Sequence, residues 1–353
     1  MHDENRASPG QTNLRSRTKW AVILSALLAI VLTLFLAAPA LAATGTVLLA
    51  SANSAGIQGN IGSDFSAISG DGRYVAFSSS ATNLVAPATS GRQVFRKDLS
   101  TGAVVLVSST SLGAQGNGNS DMPCLSYDGR YVAFQSASTN FVVPATANTQ
   151  VFRKDLATGE ILLASADSAG AQGNSNSTSP GSLSADGRYV AFYSSATNLV
   201  APATAASQIF RKDLLTAAVA LCSSSSDGTA GNNGSIWPRM SADGRYVAFQ
   251  SQATNLVAPP TTGAQFFRKD LKTAAVILIS ASAAGIQGDG VSQIPGISPD
   301  GGYVAFTSTS TNLVTPASSN QQVFMKNVAT GVVTMVSANA AGVQGNNGSR
   351  TAR

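Results

Sequence analysis

The chain has 353 residues, with 22 lysines and arginines, 17 acidic residues and a single histidine, His2, so most of its length lacks the side chain that enzymes use most often as a general base. The same scarcity excludes Ser-His and Cys-His nucleophile pairs and histidine-based zinc or iron sites from everything beyond the first residues. The small basic excess is spread along the sequence, which indicates a solvated surface and no nucleic-acid partner.

The first 42 residues have the features of a secretory signal peptide. Positive residues at 15–19 precede an uncharged apolar run from Trp20 to Leu36, and small residues at 40–42 suit a signal peptidase, so we expect cleavage after Ala42. The alternative is an uncleaved membrane anchor formed by the same hydrophobic helix, because an apolar run of about 20 residues can span a bilayer. Either interpretation places residues 43–353 outside the cytoplasm, as a periplasmic, secreted or membrane-anchored domain.

A heptapeptide recurs along the rest of the chain. Asp-Gly-Arg-Tyr-Val-Ala-Phe occurs four times, and a fifth copy has glycine in place of the arginine. The intervals are 57, 58, 57 and 57 residues, so one supersecondary unit has been copied. Each Asp-Gly pair predicts a hairpin, because glycine tolerates the positive φ that a tight primed turn requires. These pairs are the structural signature of the repeat: Asp71 and Gly72, Asp128 and Gly129, Asp186 and Gly187, Asp243 and Gly244, Asp300 and Gly301.

Each copy contains further landmarks in a fixed order. Tyr-Val-Ala-Phe is followed by Ala-Thr-Asn-Leu-Val or a close variant, then by Phe-Arg-Lys-Asp-Leu, and then by a short apolar run. These segments are rich in Val, Ile, Phe and Tyr and are separated by Gly, Pro, Asn and Ser, which predicts strands. We predict four strands in each repeat, and in the first repeat they are Ala67–Ser69, Tyr74–Ser78, Gln93–Leu99 and Ala103–Ser108.

Four antiparallel strands in each of five repeats predict an all-β protein, a β-propeller in which each repeat is one blade. Burial of both sheet faces explains the consecutive apolar residues of Tyr-Val-Ala-Phe, and the alanine present in every copy indicates a close approach between blades. The fourth-strand pattern occurs six times, because Thr46–Ser51 precedes the first repeat, whereas the hairpin occurs five times. We favour five blades closed by overlap of the terminal strands, and the alternative is an incomplete six-bladed ring.

The motif Ser-x-Asp-Gly-Arg-Tyr-Val-Ala-Phe, together with the later landmarks and a Thr-Gly pair, resembles the TolB-like, WD40-like propeller repeats of exported bacterial proteins. The resemblance extends over residues 46–345. It implies a rigid platform for partner proteins, cell-wall components or an attached catalytic domain. Related repeats often carry an acidic loop that looks like a calcium site. The corresponding segment 86–93 has no carboxylate, so we predict no metal and no cofactor.

Four residues are candidates for a binding site. Asp64 and Asp121 each lie seven residues before an Asp-Gly turn, near the start of innermost strands in adjacent blades, at the mouth of the central channel. Trp237 and Arg239 break the repeat by replacing small residues, and aromatic and arginine side chains are favoured binding anchors. The competing structural interpretations are solvated strand-entry residues for the two acids and a filled gap in the core for Trp237.

Two other sets of residues invite a functional interpretation that we do not favour. Arginine and lysine are adjacent in four copies of Phe-Arg-Lys-Asp-Leu, and alternation along a strand sends them to opposite sides. We expect them to pair with the aspartate that follows; the alternative is a ring of charge that attracts an acidic polymer. Cys124 and Cys222 occupy unmatched repeat positions, so we expect two free, buried thiols rather than a disulfide.

These features predict a noncatalytic, exported propeller, expected to be monomeric, that binds or scaffolds a protein or an envelope polysaccharide. The alternative is a carbohydrate-active enzyme, which would be excluded if no two channel carboxylates lay within about 10 Å of each other. A third possibility is a truncated, nonfunctional paralogue. It is suggested by the missing sixth hairpin and by the change of Phe-Arg-Lys-Asp-Leu to Phe-Met-Lys-Asn-Val in the last copy.

Overall fold

The computed structural model describes residues 47–349 of the chain. The expected signal peptide or membrane anchor, with its hydrophobic helix, lies outside the described residues. From Leu49 onward the chain forms one compact unit, which contains every strand given below. Residues 47–349 include no helix with the length and apolar character needed to cross a membrane.

Residues 47–349 contain twenty strands, which form five antiparallel four-stranded sheets. Each sheet, or blade, is built from one repeat and keeps its strands in chain order. The strands are β1 (Ser63–Ile68), β2 (Tyr74–Ser79), β3 (Gln93–Asp98) and β4 (Val104–Leu106); β5 (Ser120–Leu125), β6 (Tyr131–Ser136), β7 (Gln150–Asp155) and β8 (Ile161–Leu163); β9 (Ser177–Leu183), β10 (Tyr189–Ser194), β11 (Gln208–Asp213) and β12 (Val219–Leu221); β13 (Ser235–Met240), β14 (Tyr246–Ser251), β15 (Gln265–Asp270) and β16 (Val276–Leu278); β17 (Ser292–Ile297), β18 (Tyr303–Ser308), β19 (Gln322–Asn327) and β20 (Val333–Met335).

The predicted all-β repeat with four strands in each blade is confirmed, but two local details differ. Strand β1 begins at Ser63, earlier than predicted, because its pairing with β2 continues across a β-bulge. The hairpin is not a primed turn centred on Asp and Gly, since Gly72 has a positive φ of 74° and Asp71 does not. Instead, the Gly72 N–H donates to the Ser69 carbonyl, and the Ser69 hydroxyl donates to the Asp71 carboxylate.

Consecutive blades pack face to face. The forward face of a blade, which is the face toward the next blade, presents an apolar triplet: the heptapeptide alanine, a residue of the third strand and a residue just after the fourth strand. All members of the triplets in the first four blades are 0% exposed, which confirms the close approach inferred for the alanine. These triplets are Ala76, Val94 and Val107; Ala133, Val151 and Ala164; Ala191, Ile209 and Cys222; and Ala248, Phe266 and Ile279.

A tyrosine and a glycine meet at each junction between consecutive blades. Tyr131 of the second blade lies so close to Gly187 of the third that a Cβ on Gly187 would be 2.1 Å from the tyrosine Cδ2 atom. Arg153 stacks on the same ring, with its guanidinium carbon 4.5 Å from the centroid, and donates to the Gly187 carbonyl at 3.0 Å. The arrangement recurs at the other three junctions. The tyrosine and glycine of the heptapeptide therefore join the blades.

The three polar residues of Phe-Arg-Lys-Asp-Leu make contacts in different directions. Arg153 binds the following blade, whereas Lys154 donates to two carbonyls of the loop at 109–110, before its own blade, at 3.0 and 2.8 Å. Asp155 accepts hydrogen bonds at 3.0 and 2.7 Å from Arg130, the arginine of the heptapeptide. The expected pairing of the adjacent cations with the following aspartate is therefore wrong. The four lysines are buried and the four arginines are buried or half-buried, so the pairs do not form an exposed ring of charge.

The ion pairs with the heptapeptide arginine are expected to make the fold sensitive to acid. Arg188 donates to Asp213 at 2.9 and 2.6 Å and holds the pKa of that carboxyl well below its usual value of 3.8. A depressed folded pKa stabilises the fold above the unfolded pKa, and this contribution is lost as the pH falls through the folded pKa. We expect Asp213→Asn to be less stable than the wild type in urea at pH 7, and the difference to shrink as the pH falls below about 4. A difference that did not change with pH would contradict this role.

The array of blades is open at its ends. Among the described residues, the strands of the fifth blade make no substantial contact with those of the first. The fifth blade completes its sheet with its own β20, which pairs with β19, and residues 47–49 form no strand. Within residues 47–349, the expected closure by overlap of the terminal strands is therefore wrong.

The fifth blade lacks groups that serve the other junctions. Met325 replaces the arginine that donates to the next blade, and Pro299 has no N–H at a position where three other blades donate a backbone N–H forward. The ion pair is absent as well, because Gly302 replaces its arginine and Asn327 its aspartate. Since both partners of the ion pair are replaced together, neither is left as an unpaired charge beside the sheet.

Candidate functional site

The first strand of every blade is interrupted by a β-bulge at the same level. First strands of consecutive blades contact one another, so the bulges lie on the inner side of the array. In three blades a bulge residue with a large side chain has a positive φ: 46° at Phe65, 52° at Met122 and 55° at Trp237. Such conformations cluster at functional sites. We define the bulge site as Asp64, Phe65, Arg92 and Asp121, which contact one another.

The two acids predicted to share a site meet at one arginine. Arg92, in the loop before β3, forms ion pairs with Asp64 of its own blade and with Asp121 of the second blade. Its Nε atom is 3.0 Å from Asp121 Oδ2, and its Nη2 atom, 3.2 Å from Asp121 Oδ1, also contacts Asp64. Asp64 is exposed and Asp121 is half-buried. A single guanidinium therefore links two blades and holds both carboxylates.

Phe65 lies against this ion-pair cluster. Its ring centroid is 5.5 Å from the Arg92 guanidinium carbon, within the range of a cation–π contact. The ring remains exposed to solvent. An exposed aromatic ring beside a charged cluster suits an amphipathic group, such as the apolar face of a sugar ring or a long peptide side chain.

Trp237 and Arg239 lie on β13 in the fourth blade. Trp237 is half-buried at its bulge. Arg239 Nη1 donates to the Gly181 carbonyl of the third blade at 2.8 Å. Burial raises the pKa of the Cys124 thiol in the second blade to about 12, and the nearby Arg239 charge partly opposes this shift. Arg239 thus links the inner strands of the third and fourth blades.

Sequence reasoning does not single out Arg92, Phe65 or Met122. An alignment of the five repeats would have pointed to Arg92, because it is the one charged residue at its position. Its equivalents are Thr149, Ser207, Ala264 and Gln321. The strained bulges have no such signal, since they depend on how β1 and its equivalents pair with their neighbours. Arg92 and Phe65 are 27 positions apart in the sequence and come side by side only when the first blade folds.

Other reactive groups are few in the part of the chain that the structure describes. No three His, Cys, Asp or Glu side chains gather there in a way that could hold a metal ion. Cys124 and Cys222 are free, as expected, and Cys222 is buried whereas Cys124 is half-buried. Burial raises the pKa of Cys222 to about 12, so its thiolate is scarce near neutral pH.

No protein-family model and no curated protein matches the chain. Among solved structures, it is similar to a putative TolB from Agrobacterium tumefaciens, with 18% identity, a TM-score of 0.48, and coverage of 78% of this chain and 80% of that chain. It is also similar to TolB from Acinetobacter baumannii, with 18% identity, a TM-score of 0.45, and coverage of 77% of this chain and 56% of that chain. An oligogalacturonate lyase in complex with manganese is similar with 13% identity, a TM-score of 0.49, and coverage of 77% of this chain and 64% of that chain.

The chain thus spans 56% of the length of the Acinetobacter TolB structure and 64% of the length of the lyase. Identities this low concern the fold alone. The class of the protein is defined by its own five four-stranded blades and their face-to-face packing, which are those of a β-propeller.

Proposed function

We propose that this protein is a noncatalytic, exported β-propeller that uses the bulge site to bind or scaffold a protein or a cell-surface glycan. The observation that carries the proposal is the exposed Phe65 ring stacked on Arg92, which bridges Asp64 and Asp121. The fold of a blade does not require this set, because four other blades form with an uncharged residue in place of Arg92. Export rests on the basic and apolar segment within the first 42 residues.

The setting of the two carboxylates supports a binding role. Asp64 and Asp121 both contact one guanidinium, so their oxygens are already engaged in charge-assisted hydrogen bonds. The result is a cluster of charged groups held beside the Phe65 ring, an arrangement that suits recognition of a ligand.

Replacing Arg92 or Phe65 by alanine is expected to weaken binding strongly without unfolding the blade. The test is affinity capture from the envelope fraction of the producing cell, with quantification of each captured protein and glycan. We expect Arg92→Ala and Phe65→Ala to reduce recovery of the specific ligand more than about tenfold, the usual effect of losing a hot-spot side chain. The double variant Asp64→Ala/Asp121→Ala should show the same loss.

Thr149→Ala is the matched control, because Thr149 occupies the position of Arg92 in the second blade. It should capture the same material as the wild type. If nothing is captured specifically by the wild type, or if the Arg92 and Phe65 variants capture as much as Thr149→Ala, the bulge site is not the binding site.

The second candidate function is a carbohydrate-active enzyme, and the observation that favours it is the convergence of two carboxylates. Asp64 and Asp121 contact the same nitrogen of Arg92, so they lie within the limit of about 10 Å that would have excluded a glycosidase pair. Release of reducing ends from envelope polysaccharides measures this activity. Turnover by the wild type that Asp64→Asn and Asp121→Asn both abolish would establish the enzyme and displace the noncatalytic proposal.

A further inference from the structure

The forward face of the fifth blade is uncovered although it keeps the residues of a blade junction. Its triplet is Ala305, Val323 and Val336, by alignment with the earlier blades. Ala305 and Val323 are half-buried and Val336 is 53% exposed, whereas every triplet member in the first four blades is 0% exposed. Tyr303, the tyrosine that packs on the next blade elsewhere, is also exposed.

The back face of the first blade is uncovered in a complementary way. Ile68 is 62% exposed, whereas its equivalents Leu183 and Met240 are 8% and 7% exposed against the preceding blade. Val75 is half-buried, although the same valine is 0% exposed in the other four blades. No atom lies within 4 Å of the position of a Cβ on Gly72, whereas the other four glycines lie under a tyrosine.

The retained residues are informative because the fifth copy has changed elsewhere. Pro299 and Met325 have removed its forward hydrogen-bond donors, yet Tyr303 and Ala305 are kept. A small residue is needed at the alanine position only where another sheet approaches closely. The two end faces therefore match each other in the way that consecutive faces within the chain do, with Tyr303 opposite Gly72 and the triplet opposite Ile68 and Val75.

We propose that the forward face of the fifth blade docks on the back face of the first blade of a second copy of this chain, head to tail. Such an interface is heterologous, so each added copy leaves one forward face and one back face free. Because the Met325 side chain and Pro299 supply no hydrogen-bond donor to the forward face, the contact is weaker than the junctions within the chain and forms reversibly. The partner expected for this surface is another propeller of the same sequence, in place of the monomer expected from the sequence.

Complementation between two face variants tests the proposal. Sedimentation velocity of the full chain should show a mass that rises with concentration. Ile68→Glu blocks the back face and Val336→Glu blocks the forward face, and each should weaken association more than about tenfold, since either places a charge in an apolar contact. An equimolar mixture should form a dimer and nothing larger, because only the forward face of Ile68→Glu and the back face of Val336→Glu remain intact.

Val143→Glu is the control, because Val143 is an exposed loop residue away from both faces and should leave association unchanged. Circular dichroism establishes that the variants are folded, and Ile68→Gln or Val336→Gln replaces any that is not. A wild type that stays monomeric up to near-millimolar concentration would overturn the proposal. So would association that both face variants retain, as expected if the apolar N-terminal segment were responsible, or a mixture of the two variants that does not form the dimer.

Discussion

Replacing Gly187 by alanine is expected to destabilise the protein by roughly 3 kcal/mol or more. The new Cβ would lie 2.1 Å from Cδ2 and 2.4 Å from Cγ of Tyr131, and the backbone φ of 73° is itself unfavourable for alanine. The tyrosine has little room to move, because the guanidinium carbons of Arg130 and Arg153 lie 4.8 and 4.5 Å from its ring centroid. Urea denaturation followed by circular dichroism measures the loss.

Gly72→Ala separates the contribution of the junction from that of the backbone. Gly72 has nearly the same φ, 74°, but no atom lies within 4 Å of the added Cβ. This variant should lose only the backbone part, about 1 kcal/mol, when measured at a concentration that keeps the chain monomeric. Equal losses in the two variants would mean that the tyrosine contact contributes nothing measurable.

Replacing Ala191 by leucine is expected to lower the free energy of unfolding by about 1–3 kcal/mol. Ala191 is fully buried on the forward face of the third blade, in one cluster with Val247 and Phe249 of the fourth. Each sheet is fixed by its own ladder of hydrogen bonds, so the extra carbons have to be accommodated by separating the blades. The same urea titration measures the effect.

Ala305→Leu is the matched control for Ala191→Leu. Ala305 has the same place in its strand, but it is half-buried on a forward face that no described blade covers. Its replacement should change the free energy of unfolding by less than about 0.5 kcal/mol, as is usual at surface positions. If Ala305→Leu were as damaging as Ala191→Leu, the strand itself, and not the blade junction, would require the alanine.

The blades could be predicted from the sequence because their determinants are local. A glycine turn, runs of β-forming residues and a fixed period define a four-stranded sheet without reference to distant parts of the chain. Closure of the array is a different kind of property. It depends on how each blade packs on the next, where side chains such as Tyr131 and Arg153 contact residues of another repeat.

The polar contacts also differ in whether they could be predicted from the local sequence. The proximity of Asp64 and Asp121 could be predicted because equivalent positions in adjacent blades lie near each other. The partner of Asp155 could not, since Arg130 is 25 residues away along the chain although their strands are neighbours. The role of Arg92 could not be predicted for a similar reason. Arg92 lies in a loop and contacts its two carboxylates only when β1 and β5 are folded beside it.

The lysine that follows the junction arginine has a consequence for how the propeller is built. In all five blades it donates to two consecutive carbonyls 44–46 residues earlier, in the loop that leads into its own blade. These lysine contacts therefore join each blade to the connection behind it, whereas the junction arginine joins the same blade to the one that follows. The lysine contacts can form as soon as one repeat has emerged from an N-terminal-first process, because every one of them closes within a single repeat length, before the next blade arrives to cover the forward face.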